Sequence, residues 1–290
     1  MENNLVSVII PIFNGESYIK EAVDSVLSQT YKNIEVIIVD DGSTDRTGEI
    51  VKDIIQHDRR IRYIYQENKG QSAARNTAID NAKGKYIAFL DADDVFLPTK
   101  IEKQVSYMEL HPDCDLCYCK IYHFYNNFPE KLFYFSLEHP SGYLFENLLR
   151  KNFINPLSVV VKKEVLDKFG AFEPTFRRLD EQYLWLKLSF HKVKFCYLDE
   201  SLAKYRVFKG SLSNESSYFQ ETEEKFFELL KIIKTWLNLE EQKRMKIDRL
   251  INRTRFRIFV GKLMNGNSIF AKTLFKLYNL KRKNRFQKIL

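Results

Sequence analysis

The chain has 290 residues, which is enough for one large α/β domain with an appendage and a sizeable core, and no apolar stretch in it has the length of a membrane span. The net charge of +8 is uneven, because residues 225–290 carry 18 Lys or Arg against 4 Asp or Glu and the first 224 residues therefore carry −6. We expect an acidic domain followed by a basic tail, and the N-terminus lacks the basic and apolar regions typical of a signal peptide.

The first ninety residues alternate strands with helices. Apolar runs predict buried strands over 5–14, 34–39, 61–65 and 86–90. Apolar spacing and turn residues predict helices over 16–29 and 72–82, and a further helix that Ser43 or Thr44 caps and that runs to about residue 57. This alternation predicts a mostly parallel sheet of Rossmann type with right-handed crossovers.

Three carboxylates, Asp91, Asp93 and Asp94, follow the predicted strand over 86–90. In an open parallel sheet, ligands bind beyond the carboxyl ends of the strands. Carboxylates this close repel one another unless a cation lies between them, and Mg²⁺ or Mn²⁺ takes oxygen ligands and also bridges phosphates. The segment therefore predicts a metal and nucleotide clamp. The alternative is that these aspartates cap the helix that follows Pro98.

Two common phosphate-binding motifs do not occur where they would be expected. The first strand is not followed by a Gly-x-Gly-x-x-Gly turn, and the sequence has no Gly-x4-Gly-Lys-Ser/Thr loop. Dinucleotide cofactors and P-loop chemistry are therefore disfavoured. A metal on Asp93 and a cation such as Arg75 would suffice to hold phosphates instead.

Four motifs occur in order along this half of the chain. They are Val8-Ile-Ile-Pro11-x-Phe-Asn14, Val39-Asp-Asp-Gly-Ser-Thr-Asp45, Asn68-Lys-Gly-x-Ser-x-Ala-Arg75-Asn76 and Leu90-Asp-Ala-Asp-Asp94. Together they resemble the successive signatures of the family 2 glycosyltransferases, and the resemblance covers residues 5–215. It implies an inverting enzyme of the GT-A fold that uses a nucleotide-activated sugar.

The resemblance also implies roles for individual residues. Pro11 and Phe13 would line the nucleotide pocket, and Asp41 would accept the imide N–H of a uracil-like base, with Asp40 beside it. Arg75 would approach the nucleotide or its diphosphate. The alternatives are that the two aspartates are turn or capping residues and that the arginine is a solvated helix charge.

Further along the same strand end, the resemblance places Asp91 near the ribose and Ala92 in the nucleotide-sugar site. Asp93 would ligate a Mn²⁺ or Mg²⁺ ion, with Asp91 as a second candidate ligand. The expected cofactor is therefore a divalent metal, and the expected donor is a nucleoside-diphosphate sugar, most simply a UDP-sugar.

The segment from residue 95 to residue 162 carries weaker signals. We expect a helix from Val95 to about His111, a strand over 115–125 on the acceptor side, a surface loop over 126–140, a short helix over 145–150 and a strand over 156–162. Aromatic residues in the predicted loop could stack on sugars, although core packing is the alternative.

The cysteines fit a reducing compartment, which favours a cytoplasmic protein. Cys114 and Cys117 have the spacing of half a zinc site, but no second pair has ligand spacing. We therefore expect Cys114, Cys117, Cys119 and Cys196 to be small core residues.

Asp180 and Glu181 begin a predicted helix whose apolar face carries Leu184, Trp185 and Leu188. A carboxylate in the first turn of a helix is favoured by the helix dipole alone. The segment also resembles the family's acidic pair followed by Leu-Trp, which supplies the general base. The usual order is Glu-Asp, and the second position aligns with the base, which favours Glu181 over Asp180.

Tyr205-Arg206-Val-Phe208 resembles the Tyr-Arg-x-His segment that closes the family's catalytic domain, with Phe208 in place of the histidine. We therefore assign residues 1–215 to the catalytic domain and residues 216–290 to a basic, amphipathic, helical region. Such a region indicates a membrane-surface element, helices that pack with a solvated basic face, or, least of all, a nucleic-acid patch.

We therefore expect a glycosyltransferase that acts on a saccharide or lipid-linked acceptor and lies at the inner face of the cell membrane. One alternative is a sugar nucleotidyltransferase, although Pro11-Ile-Phe-Asn14 occupies the position of its phosphate loop. The other is a membrane-associated module that binds the nucleotide without turnover, for which Phe208 is the support.

Overall fold

The computed structural model describes residues 4–134, 139–208, 218–236 and 240–265. The chain divides into two compact units, residues 1–209 and 210–290. The boundary predicted after residue 215 lies outside the described residues. The strands of the first unit are β1 (Val6–Ile12), β2 (Ile34–Asp40), β3 (Ile61–Tyr65), β4 (Tyr86–Phe89), β5 (Val95–Phe96), β6 (Leu116–Tyr125), β7 (Phe128–Phe133), β8 (Val159–Lys162) and β9 (Phe195–Val207). Its helices are α1 (Ile19–Leu27), α2 (Thr47–His57), α3 (Gln71–Asp80), α4 (Lys100–Leu110), α5 (Phe145–Arg150), α6 (Lys163–Phe169) and α7 (Asp180–Phe190).

The strands form one sheet in the order β3-β2-β1-β4-β8-β6-β9-β5, and β7 pairs with β6 at its side. The first four strands are parallel, as their alternation with helices predicts. All residues of β1 and β2 are buried, because helices cover both faces, and this burial explains their continuous apolar runs.

The second half of the sheet is mixed rather than parallel. Strand β8 runs antiparallel to both β4 and β6, whereas β9 runs parallel to β6. The prediction of a mostly parallel sheet therefore holds for β1 to β4 and not for the rest. Pairing between distant strands decides their direction, and local periodicity carries no information about it.

Several local predictions need correction. Residues 95–96 form β5 against β9 and do not begin a helix, and much of the predicted loop over 126–140 is β7, an exposed strand that tolerates Pro129. The first three residues of the strand predicted over 156–162 are a 3₁₀ turn. Neither Ser43 nor Thr44 caps α2, because both hydrogen-bond to Asn14 in the loop after β1.

Two of the four cysteines, Cys114 and Cys196, form a disulfide with Cα atoms 6.0 Å apart. This pairing differs from the expectation of four separate core thiols, because β9 brings Cys196 back beside the start of β6. It also removes the cysteine content as an argument for a reducing compartment. Cys117 and Cys119 are free and buried, as predicted for small core residues.

The second unit contains α8 (Tyr218–Lys234) and α9 (Glu241–Asn265), which pack against each other. Leu229, Leu230 and Ile233 of α8 are fully buried, and ion pairs join Lys234 to Asp248 and Arg257 to Glu223. None of the helices in the described ranges combines the length and apolar character that crossing a bilayer requires.

Candidate active site

The loops that follow β1, β2 and β4 lie side by side at the carboxyl edge of the parallel half-sheet. The amide of Asp41 donates to the carbonyl of Ile12 (2.8 Å), and the amide of Leu90 donates to that of Ile9 (3.0 Å). This edge is where an open parallel sheet binds its ligands. Pro11 is buried within β1, whereas the Phe13 side chain is 52% exposed.

Asp40 stabilises the turn after β2. Its buried carboxylate accepts hydrogen bonds from the amide of Ser43 (2.8 Å) and from the hydroxyl of Tyr63 (2.6 Å). The structure therefore agrees with the alternative that Asp40 is a turn residue. A contact between Asp40 and a nucleotide stays a prediction.

Asp41 holds the segment before α3. Its carboxylate accepts from Gln66 Nε2 (2.7 Å) and from the amides of Lys69 (2.9 Å) and Gly70 (2.7 Å). The next residue, Gly42, has φ +82°, and a Cβ there would lie 3.0 Å from the amide nitrogen of Asn68. The Asp-Asp-Gly motif thus joins one loop to another at the carboxyl edge of the sheet, and recognition of the base by Asp41 stays a prediction.

Arg75 is a buried cation between two carboxylates, not a solvated helix charge. Its side chain is 4% exposed, and its guanidinium lies 2.7 Å from Asp91 Oδ1, 3.4 Å from Asp180 Oδ2 and 4.9 Å from the ring centre of Phe172. Burial by itself would lower the pKa of Arg75, but the charges of Asp91 and Asp180 outweigh this effect. The pKa of Arg75 is therefore raised, and the group stays protonated. Arg75 therefore joins α3, the loop after β4 and the start of α7.

Asp93 and Asp94 are carboxylates whose negative charge the fold does not fully balance. Burial, followed by the charge of Asp91, raises the pKa of Asp93 to about 6. The pKa of Asp94 is raised well above its ordinary value by burial and then by Asp93, and its buried Oδ2 has no partner among the described groups.

This donor set fits a divalent metal, because hard cations take carboxylate oxygens and a nearby positive charge would relieve the repulsion. No three His, Cys, Asp or Glu side chains converge in the part of the chain that the structure describes. Asp93 and Asp91 could therefore supply part of a coordination shell, which phosphate or water oxygens would complete.

Arg206 holds the loop that carries these carboxylates. Its amide donates to Asp94 Oδ1 (2.8 Å), its Nε donates to the carbonyl of Asp93 (2.7 Å), and its Nη atoms bind Asn126 and Glu21. The guanidinium also lies 4.6–4.8 Å from the ring centres of Phe124 and Tyr18. Because Arg206 is 5% exposed and donates at every one of these points, it acts as a structural clamp.

Phe208 occupies the position where the resemblance expects a histidine. Its ring centre lies 5.6 Å from that of Tyr18, which also contacts the Arg206 guanidinium. The aromatic ring extends the packing around the clamp but offers no nitrogen ligand. Any metal site here is therefore built without an imidazole from this position.

Asp180 and Glu181 occupy the first turn of α7, as predicted. Asp180 accepts from Ser72 Oγ (2.7 Å) and faces Arg75, so its charge is compensated. Glu181 Oε1 instead accepts from Asn152 Nδ2 (3.3 Å) and lines a cavity. Burial and then the charge of Asp180 raise the pKa of Glu181 to about 8, although Arg75 opposes the shift.

The cavity beside Glu181 has a volume of about 490 Å³. It lies between the middle of β6 and the segment 152–158, on the side of the sheet where sequence predicts the acceptor. Besides Glu181, the lining residues are Cys119, Lys120, Ile121, His123, Tyr134, His139, Asn152, Phe153, Ile154, Asn155 and Ser158. A carboxyl group with a raised pKa in such a cavity can exchange a proton with a bound hydroxyl.

Sequence reasoning missed two residues that support this site. Asn152 contacts Glu181, but nothing in the local pattern distinguishes it from other loop asparagines. Ser72 binds Asp180, and the Gly70-x-Ser-x-Ala-Arg75 motif contained that signal. The fold brings Arg75 into contact with Asp91, one of the metal candidates. Pro11 is buried within β1, and its contribution to a nucleotide pocket stays a prediction.

Comparison with known proteins identifies the family. Residues 7–182 match the family model described as Glycosyl transferase family 2. GlyA of Streptococcus pneumoniae, a glycosyltransferase, is 38% identical over 224 residues, which are 72% of this chain but 31% of GlyA. TuaG of Bacillus subtilis, whose description places it in teichuronic acid biosynthesis, is 34% identical over 72% of this chain and 82% of its own length.

Solved structures share the fold. The complex of Staphylococcus aureus TarS 1–349 with UDP-GlcNAc has a TM-score of 0.69 at 21% identity, over 88% of this chain and 72% of that one. Mannosyltransferase PcManGT from Pyrobaculum calidifontis, in complex with GDP-Man and Mn²⁺, has a TM-score of 0.64 at 17% identity, over 96% and 80% of the two chains. The predicted α/β fold of GT-A type is thereby confirmed.

Proposed function

The chain belongs to glycosyl transferase family 2, and we propose that it is an inverting enzyme that transfers a sugar from a nucleoside-diphosphate sugar to an acceptor hydroxyl. The observation that carries this proposal is the division of charge around α7. The buried cation Arg75 lies between the carboxylates of Asp180 and Asp91. Glu181, whose pKa is raised to about 8, faces a cavity instead. With a divalent cation on its remaining carboxylates, the Arg75 side would suit a phosphorylated donor, and the cavity side suits a neutral hydroxyl.

The donor is proposed to be a UDP-sugar that carries a hexose-type sugar. Support comes from the acidic pair at the end of β2, and TarS, which shares this fold, was solved with UDP-GlcNAc. Phe13 is exposed at the same edge of the sheet, where it can cover one face of a base. Asp91 and Ala92 follow β4 at this edge and are proposed to contact the ribose.

Asp93 and Asp91 are the residues that would hold a Mn²⁺ or Mg²⁺ ion, which when bound supplies positive charge against the charge that develops on the leaving diphosphate. The elevated pKa of Asp93 supports this assignment, because a cation would favour the ionised form. PcManGT, which has the same fold, was solved with Mn²⁺. Arg75 and Arg206 keep the carboxylates in place.

Glu181 is proposed to act as the general base. It accepts the proton of the acceptor hydroxyl as the oxygen attacks C1 of the donor sugar, and the bond from C1 to the diphosphate oxygen breaks on the opposite face. Positioned bases of this kind contribute roughly 10²–10⁴-fold to the rate. Asn152 orients the carboxyl group from the cavity side.

The acceptor is proposed to be part of a surface polysaccharide or lipid-linked glycan, and the C-terminal unit is proposed to hold the enzyme at an anionic membrane surface. Phe256 and Phe259 on α9 are 38% and 57% exposed in a segment rich in arginine. Apolar insertion combined with basic charge, at about 1 kcal/mol per nearby Lys or Arg, is typical of peripheral membrane binding. A cytoplasmic protein at the inner face of the membrane would meet both requirements.

A donor-hydrolysis screen with Mn²⁺ across UDP-, GDP- and dTDP-sugars tests the activity. We expect release of UDP from one or a few UDP-sugars, and a slower rate when Mn²⁺ is replaced by EDTA. Nucleotide binding without release or transfer in every combination would instead favour the non-catalytic binding module.

A further inference from the structure

The cavity beside Glu181 has a wall that is ordered by the protein itself. The indole Nε1 of Trp185 donates to the carbonyl of Ile154 (3.0 Å), and the amide of Ile154 donates to Asn152 Oδ1 (3.2 Å). The Asn155 carboxamide accepts from the amide of Leu157 (2.8 Å). Because buried or local partners hold each of these positions, the segment 152–158 does not need a ligand to form the wall.

The lining combines flat rings with groups that exchange hydrogen bonds. Phe153 and His139 present rings, and the His139 ring stacks on Tyr197 with ring centres 4.6 Å apart. The buried Nδ1 of His139 has no hydrogen-bond partner among the described groups. Asn152 and Asn155 add carboxamides, so the wall can satisfy both an apolar surface and several hydroxyl groups.

The charge of the lining is low. Lys120 is the one lysine or arginine among the described lining residues, and it is paired with Asp199. Glu181 is the one aspartate or glutamate among the described lining residues, so each sign of charge comes from a single acidic or basic side chain. A cavity with these groups does not favour a bare phosphate. It also lacks the continuous aliphatic wall that a polyprenyl chain would need, since Ile121 and Ile154 are its aliphatic residues.

We propose that this cavity binds a pyranose ring of the acceptor, so that the acceptor is a sugar hydroxyl and not the phosphate of a lipid carrier. The apolar face of the pyranose packs on Phe153, and its hydroxyl groups bind His139 and the two asparagines. A volume of about 490 Å³ holds a ring together with part of the next residue of the saccharide. This proposal rests on the proposed function, because it takes Glu181 as the group that receives the acceptor proton.

Saturation-transfer NMR on the full chain, with methyl pyranosides as probes and no donor, tests binding directly. We expect at least one pyranoside to bind the parent, with its dissociation constant raised roughly 3- to 10-fold by Phe153→Ala. His139→Phe keeps the stack on Tyr197 and removes the nitrogens, so it should weaken binding while leaving the thermal midpoint near that of the parent. Tyr143→Ala, at an exposed tyrosine that does not line the cavity, is the matched control.

Two results would overturn the proposal: no pyranoside in a panel of common hexoses binds, or Phe153→Ala and His139→Phe bind as the parent does. A second arm separates it from the proposed function. With a UDP-sugar that the enzyme hydrolyses as the donor, a bound pyranoside should accelerate the release of UDP, whereas a polyprenyl phosphate without a sugar should not. Acceleration by the lipid phosphate alone contradicts the saccharide assignment and leaves the transferase activity intact. Pyranoside binding with no release from any donor contradicts the activity and leaves the cavity assignment intact.

Discussion

Asp180 and Glu181 are adjacent in sequence, but their carboxyl groups have different partners. Asp180 accepts from Ser72 and lies 3.4 Å from the Arg75 guanidinium, whereas Glu181 accepts from Asn152 at the wall of a cavity. One turn of helix therefore presents a carboxylate to the Arg75 guanidinium and a carboxyl group of raised pKa to the cavity. This division motivates the first two predictions.

Glu181→Gln should lower turnover by about two orders of magnitude or more and leave the affinity for the donor near the parent value. The amide keeps the shape of the side chain but cannot accept a proton. Steady-state kinetics with an identified donor and acceptor measure the effect. Asp180→Asn should instead lower the thermal midpoint and weaken donor binding, because it removes one of the two carboxylates around Arg75. If Asp180→Asn shows the pure loss of turnover and Glu181→Gln does not, the assignment within the pair is reversed.

The pH dependence of the reaction should report Glu181. A general base acts in its ionised form, so kcat/KM should rise with pH, up to tenfold per unit, and level off above the pKa of about 8. Since the Asp180 charge contributes to that raised pKa, Asp180→Asn should move the rising limb to lower pH. A profile that is flat from pH 6 to 9, or a limb that does not move in the variant, would contradict the role of Glu181.

Asp93→Asn should abolish transfer and remove the metal dependence of nucleotide binding. Among the described residues, Asp93 has the carboxylate that best fits a cation, and the asparagine carboxamide that replaces it is a much weaker metal ligand. Titration calorimetry with UDP, with and without Mn²⁺, measures this directly. Asp53→Asn, on the exposed face of α2, is the matched control and should behave as the parent. Superimposable titration curves for Asp93→Asn and the parent in both conditions would rule out the assignment.

Arg206→Lys should destabilise the catalytic unit by about 1–3 kcal/mol, because it takes guanidinium donors away from the carbonyl of Asp93 and from Asn126. A lysine has one charged nitrogen and cannot reach the carbonyl of Asp93, Asn126 and Glu21 together. Urea unfolding of the full chain gives the difference. Arg46→Lys, at a side chain that is 77% exposed and forms a surface ion pair with Glu49, should change stability by less than about 0.5 kcal/mol. Equal losses for both variants would mean that Arg206 is not a clamp.

Reversal of charge in the C-terminal segment should reduce membrane binding. Replacement of Lys281, Arg282, Lys283 and Arg285 by Glu should lower cosedimentation with anionic liposomes and leave activity on a short soluble acceptor close to the parent value. Electrostatic attraction alone is screened within about 8 Å at physiological salt, so Phe256→Ser with Phe259→Ser should weaken binding further at high salt.

The matched control for that experiment reverses four exposed lysines of the catalytic unit: Lys52, Lys83, Lys168 and Lys192. These substitutions change the net charge equally but lie outside the basic tail, so cosedimentation should fall less. If the parent chain does not bind anionic liposomes even at low salt, the membrane assignment is wrong and the tail serves packing.

Much of the parallel half of the fold could be predicted from sequence. Strand β3 was predicted residue for residue, and β1, β2 and β4 lie within one or two residues of the predicted limits. Continuous apolar runs between helical segments are buried on both faces, which leaves few other structures open to them. The motifs after β1, β2 and β4 were also placed at one edge by this reasoning alone, because parallel strands end together.

The second half required tertiary contacts. Residues 95–96 and 128–133 became strands through pairing with β9 and β6, and neither pairing has a local signature. The Cys114–Cys196 disulfide and the Arg206 clamp join segments more than 80 residues apart. Helix and strand propensity and hydrophobic periodicity depend on residues that are close together in the sequence. They therefore give no information about long-range partners of this kind.

The sequence by itself determined the family, the parallel half of the sheet and the acidic residues that are candidates for the chemistry. Only the tertiary structure decided which partners each carboxylate has. Asp41 is bound by a loop, Arg75 is buried between Asp91 and Asp180, and Glu181 faces a cavity with Asn152. The physical reason is that burial and neighbouring charges set the pKa of a carboxyl group, and nearby donors decide which of its oxygen atoms remain available for hydrogen bonds. The burial, the charges and the donors all come from residues distant in the chain.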